Sequence, residues 1–348
     1  DSFFSAIEAR ENPALKDLPV IIGADPKGGK GRGVVSTCSY EARKYGIRSG
    51  MPISSAYKLC PTAMFLPVNL PLYLKVSSEI MKILKNYSEK FEQVGIDEAF
   101  LDISDKVKDY NGAKNLALKI KEEIFQKEKL TCSIGIGPNK SVAKTASDFK
   151  KPNGLTIVEP QSVKEFLYPL PVRKLLGVGR KTEAALKEIG IKTIGQLAKC
   201  DVQKLVARFG KWGYYLHFFA NGIDESEVKE EERIKSISRE LTFEEDTSDL
   251  DFLNKSIDEI SEEVHKALIN EGYLFKTISI KIRFKDFETH TKAKTLEYFS
   301  SDLEVIKKVS KDLLKKFKIR KMVRLIGVRV SNLEKIDEKQ KTMMDFLY

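Results

Sequence analysis

Gly95-Ile96-Asp97-Glu98-Ala99-Phe100-Leu101-Asp102 sets two adjacent carboxylates in an otherwise apolar, strand-like run. Consecutive strand residues point to opposite faces. Both acids can therefore converge on one metal only where the backbone bends, and Gly95 supplies such a bend. Two charges in an apolar run are costly unless something cationic neutralises them. A turn with two solvated acids is the other reading of this octapeptide taken alone. Three further segments bear on the choice: Asp1-Ser2-Phe3-Phe4, Ser39-Tyr40-Glu41-Ala42-Arg43 and Lys150-Lys151-Pro152-Asn153-Gly154.

A chain of 348 residues has room for two or three domains, each with its own core. With 42% hydrophobic and 32% charged residues it reads as a folded protein with a charged surface, not a disordered one. The net charge of +10 favours a polyanionic partner, nucleic acid first and an anionic membrane second. No apolar run approaches the roughly 18 residues of a spanning helix. Cys38, Cys60, Cys132 and Cys200 form no Cys-x-x-Cys pair, which argues against a zinc site or disulfide framework and fits a reducing cytosol. His217, His265 and His290 share no ligand spacing. The sequence opens at Asp1 without Met or a signal-like region, and reads as a piece whose first strand lies upstream.

Residues 1–68 hold short helices and strands around Pro19-Val20-Ile21-Ile22-Gly23 and Gly33-Val34-Val35-Ser36-Thr37. Residues 69–158 read as a helix from Tyr73 to Phe91, the turn at Asp97 and Glu98, and a helix from Tyr110 to Lys127. A strand from Leu130 to Gly135 and a basic helix from Lys140 to Phe149 follow, giving an α+β layer pattern. Residues 159–225 are helical, and 226–235 read as a linker within an acid- and lysine-rich stretch. Residues 236–333 then run strand (Ser236 to Phe243), helix (Leu250 to Glu271), strand (Thr277 to Phe284), strand (Thr289 to Phe299), helix (Ser301 to Phe317) and strand (Val323 to Ser331). That order is a split βαβ unit. Residues 334–348 read as a flexible tail.

Several motifs carry chemistry on their own residues. Tyr40 and Arg43 share one face if Ser39 opens a helix, and a phenol, a guanidinium and free N–H groups there make a triphosphate cradle, with Thr37 adding a hydroxyl; taken alone the tetrapeptide also reads as ordinary helix, and it becomes specific coupled to the acids further along. Leu176-Gly177-Val178-Gly179-Arg180-Lys181 resembles a helix-hairpin-helix: glycines admit a phosphate, and N–H groups with Lys181 bind it without reading sequence. A weaker second copy lies at Phe209-Gly210-Lys211-Trp212-Gly213. Lys281, Arg283, Arg324 and Arg329 sit on strands of the last block, several in alternating register, as suits tracking a phosphate backbone. Two glycine-rich stretches are decoys. Gly29-Lys30 is followed by Gly31 where a P-loop needs Ser or Thr, and Ser133 to Lys140 lacks the third Gly of a dinucleotide fingerprint.

In this order and spacing the set resembles the Y-family of translesion DNA polymerases, in its DinB or DNA polymerase IV branch. The resemblance spans nearly the whole chain. It implies an α+β multidomain, right-hand polymerase fold: small fingers with the start of the palm (1–68), a palm (69–158), a helix-hairpin-helix thumb (159–225), a linker (226–235), a βαββαβ little finger (236–333) and the tail (334–348). It implies a cytoplasmic, monomeric enzyme working on primer–template DNA and deoxynucleoside triphosphates, with two Mg²⁺ ions and low fidelity. Asp97 would ligate metal, and Glu98 would ligate beside the attacking hydroxyl. The family's first metal-binding Asp falls upstream of Asp1, which matches the non-ligating second Asp of its Asp-x-Asp motif. Phe4 matches the steric gate against ribose, and Lys151 the triphosphate lysine. A non-catalytic DNA-binding repair factor and a palm-type nucleotide cyclase are the competing classes, and metal-dependent primer extension separates all three.

The tail Gln340-Lys341-Thr342-Met343-Met344-Asp345-Phe346-Leu347 fits the clamp-binding pattern Gln-x-x-aliphatic-x-x-aromatic-hydrophobic, with Leu347 where a second aromatic is usual. Gln340, Met343, Phe346 and Leu347 would dock on a PCNA-type sliding clamp, raising effective concentration at the template. Deleting residues 339–348, or Phe346→Ala, is expected to abolish clamp binding and clamp-stimulated synthesis while sparing clamp-free activity. Equal stimulation of intact and deleted proteins by the cognate clamp would refute this.

Overall fold

In the computed structural model, residues 1–230 and 234–336 are described. The chain divides into two compact units, Asp1–Glu231 and Glu232–Tyr348.

The first unit begins with α1 (Phe3–Glu11), β1 (Val20–Gly23), β2 (Val35–Cys38), α2 (Tyr40–Lys44), α3 (Ile53–Leu59) and β3 (Met64–Leu66). Strand β1 lies between β2, antiparallel, and β3, parallel, with every residue of β1 buried. Then come α4 (Leu70–Lys85), β4 (Lys90–Gln93), β5 (Ala99–Asp102), α5 (Tyr110–Glu128), β6 (Ile134–Ile136), α6 (Lys140–Ser147) and β7 (Leu155–Ile157). Strands β4 and β5 form an antiparallel pair, and β6 and β7 a parallel one. Gly135 of β6 lies so close under α6 that a Cβ there would meet Ala143 O at 2.1 Å and Ser147 N at 2.3 Å. The glycine taken above for part of a false fingerprint thus lets helix and strand touch backbone to backbone.

Helices α7 (Val163–Leu167), α8 (Arg180–Glu188), α9 (Ile194–Ala198), α10 (Val202–Phe209) and α11 (Lys211–Ala220) complete the unit around Leu186, Ile194, Leu197, Leu205 and Leu216, all fully buried. Gly210, at φ 61°, makes the sharp turn between α10 and α11.

The second unit is β8 (Ser236–Thr247), α12 (Leu250–Glu271), β9 (Tyr273–Phe284), β10 (Thr289–Ser300), α13 (Leu303–Lys315) and β11 (Val323–Lys335), the split βαβ order expected. Its four strands run β10-β9-β11-β8, each pair antiparallel. Burial alternates along most of β9: Ile278, Ile280 and Ile282 point under the helices, against Ile257 and Val264 of α12 and Ile306 of α13. Asp249 caps α12 by accepting from the Asp251 and Phe252 N–H groups at 2.9 and 3.2 Å, and Gly272 ends it at φ 70°.

Five expectations differ. The helix read from Tyr73 to Phe91 is α4, Leu70–Lys85: Asn69 caps it, Pro71 sits in its first turn, and Lys90–Gln93 leave the helix to pair with β5. Apolar periodicity cannot see that pairing. The strand read over Leu130 to Gly135 is confined to Ile134–Ile136, because only there does β7 offer a partner. Strand β9 starts at Tyr273, and β11 runs to Lys335, since Tyr273 and Lys335 pair with each other. The stretch read as linker is anchored up to residue 230. Ser141 N donates to Asp224 at 3.0 Å, Lys140 donates to the Glu227 carbonyl at 2.8 Å, and Lys85 pairs with Glu230 at 2.7 Å.

Candidate active site

The two acids sit at the tip of the β4–β5 hairpin. The N–H groups of Val94 and Gly95 both donate to the Glu98 carbonyl, at 3.1 and 3.3 Å, which closes a tight reversal. Ser77 pins it from α4 by donating to the Ile96 carbonyl at 2.5 Å. Asp97 is exposed and Glu98 half-buried.

Both acids line a cavity of about 550 Å³ shared with Phe4, Thr37, Tyr40, Arg43, Lys144 and Lys151. All seven residues singled out in the first 151 positions are thus gathered on one cleft. Behind them the cleft runs between β5 and β6 over Ile80, Leu116, Ile120 and Ile134.

Helix α2 forms as its sequence suggests. Ser39 accepts from the Ala42 N–H at 3.2 Å, and the Arg43 guanidinium lies 4.7 Å over the Tyr40 ring. Among the described residues, the buried Tyr40 hydroxyl has no hydrogen bond of good geometry, with Ser2 and Arg43 as its polar neighbours. Burial pushes its pKa up from the ordinary phenol range. An unsatisfied buried donor beside a guanidinium is suited to a phosphate oxygen.

Phe3 and Phe4 both line the cleft; Phe3 is buried, and the Phe4 ring is stacked on Tyr73, centroids 4.1 Å apart and planes 15° from parallel. Tyr73 is fully buried and donates its hydroxyl to Glu8 at 2.6 Å. That platform had no sequence signal, because it depends on α4 crossing α1.

Asp1 is used up structurally. Its carboxylate accepts from Ser133 Oγ at 2.7 Å, Asn153 N at 2.7 Å and Thr131 Oγ1 at 3.4 Å. This clasp ties the start of the chain to β6 and to the turn that carries Lys151.

Sequence reading also missed a run of alternating charge that starts on α6 and continues into the turn after it. Lys144 pairs with Glu98 and, at 3.4 Å, with Asp148, which pairs with Lys151 at 2.5 Å. The i, i+4 and i, i+3 spacings of these residues are a legible signal; their reach to Glu98 is tertiary. Burial pushes the Asp148 carboxyl up, but the hydrogen bond from Lys151 and the charges of Lys144 and Lys151 prevail and hold it below the usual carboxylate range.

The donor chemistry of Asp97 and Glu98 suits a hard divalent cation, and the ammonium already drawn to Glu98 marks that oxygen as a cation position. Among the described residues, no group of three or more His, Cys, Asp and Glu side chains is gathered for a metal.

Elsewhere, Gly177 has φ 79°, and Gly179 precedes α8 with open space around it. Lys181 is exposed in the first turn of α8. On the second unit, Lys281, Arg283 and Arg329 share the sheet face away from the helices: Lys281 pairs in register with Gly327, Arg283 with Leu325 and Arg329 with Ser279. Lys281 reaches over Gly327 to pair with Glu240, so one of these cations is partly neutralised. Arg324 stacks 4.8 Å over Phe287. Gln340, Met343, Phe346 and Leu347 lie outside the described residues.

The sequence profile of the impB/mucB/samB family matches residues 1–148, that of its C-terminal domain 234–343, and that of the IMS family HHH motif 160–191. Among curated relatives, DNA polymerase IV 2 of Methanosarcina mazei is 52% identical over 99% of this chain and 94% of its own length. DNA polymerase IV of Clostridium perfringens is 41% identical over 99% and 96%. Among solved structures, a chimeric Y-family DNA polymerase aligns at TM-score 0.88 with 31% identity, over 97% of this chain and 98% of its own. DinB from Sulfolobus solfataricus aligns at 0.62 with 32% identity, over 95% and 96%.

The Asp148 ion pairs have a definite pH signature. With its folded pKa lowered, Asp148 contributes stability that is fully present above the unfolded carboxylate pKa and is lost as pH falls through the lower folded value. Asp148→Asn is therefore expected to lower the thermal midpoint at neutral pH and to leave it less dependent on pH below about pH 4. Midpoints measured across the acid range check this; parallel curves for variant and wild type would contradict it.

Proposed function

This chain belongs to the Y-family of DNA polymerases, in its DNA polymerase IV branch, and from that membership we propose that it extends primers by two-metal nucleotidyl transfer, with low fidelity and past damaged template bases. It is a DNA-directed DNA polymerase with the family's α+β multidomain fold of palm, small fingers, helix-hairpin-helix thumb and βαββαβ little finger. Fingers and the start of the palm take residues 1–68, the palm 69–158, the thumb 159–225, the linker 226–235, the little finger 236–333 and the tail 334–348.

One observation carries the reading. The hairpin tip presents Asp97 and Glu98 to the same cleft that holds an aromatic ring, a phenol, a guanidinium and Lys151. Asp97 and Glu98 would hold Mg²⁺, together with the family's first Asp, which precedes Asp1 in the motif. Held there, Mg²⁺ would supply the Lewis acidity that activates a primer 3′-hydroxyl and offsets charge on a departing pyrophosphate. The Tyr40 hydroxyl, Arg43 and Lys151 bind the triphosphate, with Thr37 beside them. Lys151 exchanges Asp148 for phosphate as it does so. The Phe4 ring, backed by Tyr73, closes the space that a ribose 2′-hydroxyl would need. Gly177, Gly179 and Lys181 hold the duplex backbone from the thumb, and Lys281, Arg283, Arg324 and Arg329 from the little finger. The tail docks on a PCNA-type clamp. The cytoplasm and a monomeric state are the setting that family membership proposes, and no helix among the described residues is long and apolar enough to cross a membrane.

Asp97→Ala and Glu98→Ala are expected to lower primer extension by at least about 10²-fold, the loss typical of removing a group that stabilises transition-state charge. DNA affinity should stay within a few-fold, because the phosphate contacts lie elsewhere. Extension and binding are to be assayed in parallel on a chain carrying the upstream Asp; full extension by either variant would remove the two-metal assignment.

Phe4→Ala is expected to raise ribonucleotide incorporation relative to deoxyribonucleotide by at least about 10-fold, the scale of a single steric discrimination in a pocket. The ratio of the two kcat/KM values measures it. An unchanged ratio would place the gate elsewhere.

A further inference from the structure

The chain has a single tryptophan, Trp212, and it lies on α11 rather than in the hairpin between Leu176 and Lys181. The match to the family's helix-hairpin-helix motif ends at residue 191, so this motif does not include it. Yet the indole edge is set directly against the hairpin. A Cβ on Gly177 would lie 2.4 Å from Trp212 Cζ2 and 2.7 Å from Cη2, inside any tolerable contact.

Gly177 is therefore constrained twice, by its left-handed backbone at φ 79° and by the ring beside it. Two residues on, Gly179 has nothing within 4 Å of the same notional Cβ. The hairpin thus has a supported side on Trp212 and an open side at the start of α8, where Gly179, at the N-cap, has no side chain to cap the helix and Lys181 stands exposed. The indole is itself braced, by Tyr215 at 6.0 Å and edge-on by Phe219 at 6.2 Å between centroids. Its position on α11 follows from Gly210, whose φ of 61° turns the chain back from α10. Trp212 remains 37% exposed, so the ring acts as a shelf under the turn and is not part of the buried helical core.

We propose that Trp212 is a positioning residue for DNA: its indole holds the Gly177–Lys181 hairpin in the conformation that receives a backbone phosphate. The proposal rests on the hairpin being a phosphate site. A loop already held in its binding conformation loses less freedom when the ligand arrives, so the effect falls on affinity and not on chemistry. No contact between Trp212 and DNA is required.

The test compares Trp212→Ala, Trp212→Phe, Lys181→Ala and the Trp212→Ala/Lys181→Ala double variant in the full chain. Binding to a fluorescently labelled primer–template is titrated at fixed salt, and the nucleotide KM is measured at saturating DNA. Trp212→Ala should weaken DNA binding by about 10-fold with the nucleotide KM unchanged. Trp212→Phe, which keeps a flat ring, should recover most of the loss, and it keeps the test open if the alanine variant folds poorly. The double variant should lose little more than the worse single variant, because both act through one hairpin. Wild-type affinity in Trp212→Ala, a phenylalanine variant no better than alanine, or fully multiplying losses would overturn the proposal while leaving the hairpin reading intact. Unchanged binding by Lys181→Ala would overturn the hairpin reading, and this proposal with it.

Discussion

Two N–H groups, those of Val94 and Gly95, converge on one carbonyl, that of Glu98, and the catalytic reading depends on that reversal. In a continuous strand, adjacent acids would face opposite sides of the sheet. In the closed turn both border the same cleft. The turn is held from outside as well, since Ser77 on α4 donates to the Ile96 carbonyl. The acids are thereby presented on a short, braced element joined to a strand pair, the kind of support that keeps a reacting constellation in place.

Around the turn, charge is balanced by α6. Gly135 lets this helix lie against β6 with backbone in contact with backbone, and Asn139 caps its start by accepting from Val142 N at 3.0 Å. Lys144, Asp148 and Lys151 then continue the alternation that begins at Glu98. Lys140 pairs with Glu92 at 2.7 Å on the β4 side. One helix therefore supports the hairpin acids, the turn bearing Lys151 and the start of the segment after α11. Such partly exposed pairs add little stability individually. Their importance here is placement: a cation rests on Glu98, and Lys151 is held at the mouth of the cleft.

The two surfaces proposed to face phosphate follow a different logic. In the thumb the design is backbone-based, with Gly177 laid on an indole and Gly179 left open. In the second unit it is side-chain-based, a sheet with one face packed under α12 and α13 and the other carrying Lys281, Arg283 and Arg329. Gly327 in the central strand admits Glu240 next to Lys281. That pair tempers the positive field of the open face.

The sequence alone determined whatever local chemistry and periodicity could express. The β-α-β-β-α-β order was legible because long amphipathic helices and alternating strands carry strong periodic signals. The cap at Ser39 and the facing of Tyr40 and Arg43 were legible because helical spacing puts them together within one turn. Tertiary structure decided whatever depends on which element crosses which. Phe91 was read as helical, but it belongs to a strand because β5 was there to pair with it. Tyr73 became the platform of Phe4 only because α4 packs on α1, Lys144 the partner of Glu98 only because α6 lies beside the hairpin, and Trp212 the shelf of Gly177 only because Gly210 turns α11 back. These contacts join residues 35 positions apart (Gly177 and Trp212), 46 apart (Glu98 and Lys144) and 69 apart (Phe4 and Tyr73). No local pattern encodes a contact across such a separation, since only the burial of each element's apolar face fixes which side chains finally meet.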